Sequence, residues 1–179
     1  MFTKKNINVN QKKSSLFGII FSICLLLLGS AVLMQAGEPF APWLKWASNA
    51  PAQVKNQHTP TKEEVGVPAY PKPYISLTIK MTWDKNIVRG LNLVTNDPMD
   101  KVLAFYKEKL LKMPDWKWDD TFKTFYQGKS VMETMKKGYG TLALQEITDF
   151  KTELDLIYAD KAAVSKLKTR IQVSYKAGK

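Results

Sequence analysis

From Ile75 to Trp83 the chain alternates, with Ile75, Leu77, Ile79, Met81 and Trp83 separated by Ser76, Thr78, Lys80 and Thr82. A period of two predicts a β-strand with one buried face. Asp84-Lys85-Asn86 offers a turn, and Ile87, Leu91 and Leu93 then share a side of a second strand running to Val94, so a hairpin is predicted. After Asn96 the period becomes helical. Met99, Val102, Leu103, Tyr106 and Leu110 fall on one face, while Lys101, Lys107, Glu108 and Lys112 lie largely elsewhere. Asp97 is expected to cap this helix, Pro98 suits its first position, and Asp100 places a carboxylate near its positive end. Met113-Pro114 ends it.

Trp116-Lys117-Trp118 opens a further strand towards Tyr126. Ser130 to Glu133 matches a capping box for a short helix, which Gly138 closes. Tyr139 to Thr148 and Thr152 to Tyr158 read as paired strands around Asp149-Phe150-Lys151, with Leu142 and Leu144 inward on one and Leu154, Leu156 and Tyr158 on the other. Asp160 to Lys168 is a short helix or a long loop. Ile171, Val173 and Tyr175 then alternate with Arg170, Gln172 and Ser174 in a last strand. This element order predicts an α+β fold, an antiparallel sheet with one main helix packed on a face.

A different pattern precedes it. Leu16 to Met34 holds no charged residue and is long enough to cross the roughly 30 Å hydrocarbon core as a helix. A cleaved signal peptide and a retained signal-anchor compete for this segment. The anchor is preferred, because the run exceeds the usual apolar length of about 7–15 residues and no small-residue cleavage site follows. Met34-Gln35-Ala36 has a large residue where a small one is wanted, and Gly29-Ser30-Ala31 would cut inside the run. Lys4, Lys5, Lys12 and Lys13 outnumber the single Lys45 beyond the segment, which puts the amino terminus in the cytoplasm and the remainder outside. Gly18 with Ser22, and Gly29 with Ser30, are small residues at which another helix could pack closely.

Past the run, Trp43 and Trp46 fit membrane-interface or partner contacts, or else pack against the domain. Residues 48–66, rich in Pro, Ala and polar side chains, read as a tether. The expected organisation is therefore a basic cytoplasmic tail (1–15), a transmembrane signal-anchor (16–34), an interfacial segment and flexible linker (35–66), and an extracytoplasmic α+β domain (67–179).

Charge narrows the partners. Of 27 basic residues four precede the uncharged run, so 23 basic face 16 acidic residues in the exported part, a surplus of seven. An anionic lipid or wall polymer suits that surplus; nucleic acid is not expected outside the cytoplasm, and the lysines are scattered. The one cysteine, Cys24, lies in the uncharged run, which excludes disulfides within the exported domain. The one histidine, His58, falls in the tether. Metal sites and Ser-His-Asp or Cys-His nucleophile systems lack their residues, neither GxGxxG nor a P-loop occurs, and no catalytic, cofactor or metal residue is assigned. The one candidate ligand platform is Trp116 and Trp118 beside Asp115, Asp119 and Asp120, a pattern that could stack a sugar and more often marks a buried strand face.

Val67-Pro68-Ala69-Tyr70-Pro71, a strand pair, Thr95-Asn96-Asp97-Pro98, Val102, Phe105-Tyr106, Leu110 and Trp116 together resemble a small domain of exported bacterial proteins. That domain reads VP-x-YP-G-A, T-x-D-x-P-x-x-V-x-x-FY-x-x-x-L and then GW. The resemblance covers residues 67–118, and implies a membrane-tethered α+β domain in the bacterial envelope with no catalytic residues to carry over. Two departures stand out: Lys72-Pro73 replaces Gly-Ala, and Asp115 replaces the Gly before Trp116.

The resulting expectation is a non-enzymatic, single-pass accessory or scaffolding subunit of an integral membrane protein complex, sited in the bacterial inner membrane with a periplasmic domain. The alternative is an envelope binding module for an anionic or carbohydrate ligand.

Overall fold

The computed structural model describes residues 37–55, 57–83, 86–148 and 156–176. The uncharged run 16–34, with Gly18, Ser22, Gly29 and Ser30, lies outside them. Among the described residues no helix is long and apolar enough to cross a membrane.

The elements, in order, are α1 (Ala52–Lys55), α2 (Lys62–Val65), β1 (Tyr74–Trp83), β2 (Asn86–Thr95), α3 (Met99–Leu110), β3 (Trp116–Asp119), β4 (Thr124–Gln127), α4 (Val131–Lys137), β5 (Thr141–Glu146), α5 (Lys161–Val164) and β6 (Thr169–Lys176). The strands form one antiparallel sheet in the order β1-β2-β6-β5-β4-β3. The last strand is thus central, joining the first hairpin to the meander β3-β4-β5. The α+β class expected from the element order is the one observed.

α3 covers one face of the sheet. Its Val102, Tyr106 and Leu110 are buried against Leu91, Leu93, Phe125, Leu142, Ile171 and Val173. This face is the larger core. On the other face a smaller cluster gathers Val94, Leu44, Leu156, Ala159, Val164 and Leu167.

Four expectations are corrected by packing. First, residues 38–66 do not form a free tether. Phe40, Ala41 and Val65 are buried in the larger core and Leu44 in the smaller. Pro39 bridges Thr61, Trp43 bridges Ile75 and Trp46 bridges Ala159. Even the polar stretch is used: Thr61 and Glu64 make a capping box for α2, and Gly66 closes it at φ 66°. The packed body accordingly begins at Glu38 rather than near Val67.

Second, β1 does not bury one continuous face. A register shift between Ile75 and Leu77 turns the strand over, so Ile75 is fully buried whereas Ile79 and Met81 are 43% and 42% exposed. Third, Leu156 to Tyr158 is a turn and not the end of a strand beside β5; residues 152–155 lie outside the described set. Both edges of β5 are already occupied, by β4 and β6, and Leu156 instead enters the smaller cluster. Fourth, Asp97 does not cap α3. Pro98 holds that position with no side-chain hydrogen bond, and the Asp97 carboxylate is engaged elsewhere.

Other local readings match the elements seen. Ser130 Oγ accepts from the Glu133 N–H at 3.2 Å and Gly138 ends α4 at φ 78°, although the Glu133 carboxylate turns to Lys137. Asp160 caps α5 through the Ala162 N–H at 2.9 Å, which decides between helix and loop there.

Candidate functional site

Tyr70 and Asp97 of the sequence motif meet at the start of α3. The Tyr70 hydroxyl donates to Asp97 Oδ2 at 2.8 Å, and Lys101 Nζ donates to Asp97 Oδ1 at 2.7 Å. Thr169 Oγ1 donates to the Asp97 carbonyl at 2.7 Å, tying β6 to the same residue. Lys101 and Tyr70 hold the Asp97 carboxyl below the usual carboxylate range against a smaller opposing effect of burial. Burial and the neighbouring carboxylate push the Tyr70 phenol up. The Tyr70 ring stands edge-on to Phe105 at 5.1 Å, Phe105 edge-on to Tyr106 at 5.1 Å, and Tyr106 leans on Phe125 at 6.2 Å. A phenol and a carboxylate that serve each other, backed by a closed aromatic row, lock a helix start.

The two departures from the motif carry a backbone cost. Lys72 and Asp115 both sit at positive φ, 54° and 66°, where a side chain is crowded and glycine is not. Lys72→Gly is expected to stabilise the fold by about 0.5–1 kcal/mol, the relief of αL strain less the added freedom of the unfolded chain. Lys72→Ala, which keeps a Cβ, should change little. Thermal unfolding of the two variants side by side checks this.

The candidate tryptophans pack against the domain. Trp116 is buried in the larger core, and Trp118 packs on Phe125 at 4.5 Å with Lys107 Nζ 5.6 Å from its ring centre. Trp43 leans on the larger core and donates from Nε1 to Thr59 Oγ1 at 2.7 Å, while Trp46 leans on the smaller cluster. Both thus pack against the domain. Among the described residues no three His, Cys, Asp or Glu side chains converge as a metal-binding group.

A second location was not evident in the motif. Lys80 of β1, Arg89 of β2 and Tyr175 of β6 are direct cross-strand neighbours, forming a row on the sheet face that carries α3. Gln57, His58 and Thr78 complete a cleft of about 210 Å³ around them. The Gln57 Oε1 accepts from the Thr78 N–H at 2.7 Å, standing in for a neighbouring strand on the outer edge of β1. His58 Nε2 lies 3.0 and 3.2 Å from the Glu64 carboxylate oxygens. Burial works to raise the Glu64 carboxyl, but the Thr61 N–H, His58 and the Arg89 charge outweigh it and hold it low. Tyr175 is pushed up to about 12 by burial, with the Arg89 charge opposing.

Sequence reading assigned His58 to a tether and passed over Lys80 and Arg89. One signal was available. Once Trp83 is paired with Asn86, counting back three residues on each side sets Lys80 opposite Arg89. A larger hollow of about 540 Å³ lies between Lys117, Lys129 and Lys137, beside Asp115 and Glu133. There Lys117 already donates to the Gly128 carbonyl and Lys137 pairs with Glu133.

The fold and these sites define a small antiparallel α+β domain with a basic cleft. No protein-family model, no curated protein and no solved structure matches the chain.

Proposed function

We propose that the chain is a non-enzymatic, single-pass accessory subunit of a larger membrane protein complex, with its α+β domain on the outer side of a bacterial cytoplasmic membrane. The observation that carries this reading is the uncharged run of residues 16–34, long enough to cross a membrane as a helix, preceded by Lys4, Lys5, Lys12 and Lys13 and followed in the chain by a packed α+β body. Support also comes from the first hairpin, which exposes Ile79, Met81 and Ile87, apolar side chains suited to a protein partner.

The test is gentle extraction of native membranes, recovery of the chain through a carboxyl-terminal tag, and identification of co-purifying proteins by mass spectrometry. A stoichiometric integral membrane partner is the expected result. Recovery of the chain alone, under conditions that keep neighbouring complexes intact, would sink the reading.

A second reading, an envelope module for an anionic ligand, is favoured by the Lys80-Arg89 row. That Trp116 is buried in the larger core and Trp118 is partly buried against it favours the anionic form of this reading over the carbohydrate one.

A further inference from the structure

We infer that the cleft bounded by Lys80, Arg89, Tyr175, Thr78 and Gln57 is a binding site for a phosphate monoester group. The inference rests on the second, anion-binding reading and names its site and chemistry; it is independent of whether the chain serves a larger complex.

The starting point is an arrangement that costs stability. Lys80 and Arg89 are directly opposite on adjacent antiparallel strands, and like charges in that position repel. Sheets tolerate such a pair when an anion lies between them. Glu64, whose carboxylate feels the Arg89 charge, is engaged with His58 and with the Thr61 N–H at 2.8 Å. Neither Lys80 nor Arg89 makes an ion pair among the described residues, and the buried Arg89 Nε makes no hydrogen bond. A guanidinium in a partly buried, low-dielectric setting is where an added anion gains most.

The donors select the anion. Arg89 presents a planar fork suited to two oxygens, and Lys80 supplies a point charge from the neighbouring strand. Two adjacent cations match a group carrying about −1.5 to −2 charge and three acceptor oxygens, which describes a phosphate monoester at neutral pH. A carboxylate brings half the charge and two oxygens. At about 210 Å³ the cleft is below the roughly 300–1,000 Å³ of sites that enclose drug-sized ligands, so it suits one small anionic group rather than a whole cofactor. The same group can arrive on a solute or on a lipid headgroup.

The chain itself offers a clean readout, because Arg89 and Arg170 are its only arginines. Arg170 sits on the opposite side of the sheet, paired across from Val94, and is an internal control. Full-length protein labelled with ¹⁵N at arginine Nε, in zwitterionic detergent, is titrated with inorganic phosphate and separately with chloride at matched ionic strength. The expected result is a saturable shift of the Arg89 Nε–H resonance with phosphate alone, an unmoved Arg170, and at least a tenfold loss of affinity in Lys80→Gln. Lys80 is exposed, so this variant keeps the fold; Lys166→Gln, away from the row, should bind as the parent does.

The source is separated by a second arm, in which the protein is placed in nanodiscs of phosphatidylcholine with or without phosphatidic acid. The same Arg89 shift with phosphatidic acid and no added phosphate assigns a lipid headgroup; a shift only with inorganic phosphate assigns a solute. If anionic nanodiscs perturb the protein but Arg89 does not move and Lys80→Gln has no effect, the site is overturned while anion binding through scattered surface lysines stands. If neither anion produces a response, the site and the anion-binding reading both fall.

Discussion

Replacing Phe40 by alanine is expected to cost about 3–5 kcal/mol of folding stability, the range for truncating a large buried aromatic. Phe40 is 3% exposed and belongs to the same cluster as Val65, Tyr70, Ile75 and Tyr106. Its own N–H donates to the Pro60 carbonyl at 2.8 Å, so the backbone is pinned where the side chain is buried and cannot easily follow it into the space left behind. With total stabilities of roughly 5–15 kcal/mol for domains, such a loss moves the chain close to unfolding at ambient temperature. Were residues 35–66 a solvated linker, the same change would fall within about 0.5 kcal/mol of zero. Urea unfolding followed by tryptophan fluorescence decides between them. All five tryptophans lie between positions 43 and 118, so the signal reports on the packed body. A lower midpoint at unchanged slope is the expected outcome. An unmoved midpoint would remove this segment from the core.

Tyr106→Ala should be of similar size, about 3–5 kcal/mol, for a different structural reason. Tyr106 is fully buried and is the point at which α3 meets the sheet, between Tyr70 and Phe105 on one side and Phe125 on the other. Deleting its ring leaves a cavity bounded by the remaining rings, which are fixed by the helix and by β4. It also removes the backing that holds Tyr70 against Asp97. The near-ultraviolet circular dichroism of the folded fraction is therefore expected to weaken along with stability. A variant that unfolds at the parental midpoint would show that the helix is held by other contacts.

How much of this was legible in the chain depends on the range of the interaction concerned. The helix from Met99 to Leu110 follows from its own spacing of apolar residues, and the cap at Ser130 with the stop at Gly138 from residues a few positions apart. The final strand follows from the alternation around Ile171, Val173 and Tyr175. Phe40, Leu44 and Val65 were hidden because they are isolated apolar residues in a polar, proline-containing stretch, with no period to reveal a buried face. They are buried by contact with strands and a helix dozens of residues away. Asp97 shows the same limit in one side chain: two positions before the first helical residue it looks like a cap, yet Tyr70, 27 residues earlier, takes it.

The sequence alone determined the α+β class, the hairpin, the main helix, the shortage of groups for metal or nucleophile chemistry, and the uncharged run near the amino terminus. These are properties of composition or of neighbours within a turn or two, where 3.6- and 2-residue periods and capping chemistry operate. Tertiary structure decided where the packed body begins, that β6 lies in the middle of the sheet, that a register shift leaves Ile79 and Met81 exposed, and that Lys80, Arg89 and Tyr175 stand in one row. Burial and strand neighbourhood are not carried by any one segment; they arise when surfaces far apart along the chain compete for the same apolar area, and only the packed whole shows which of them won.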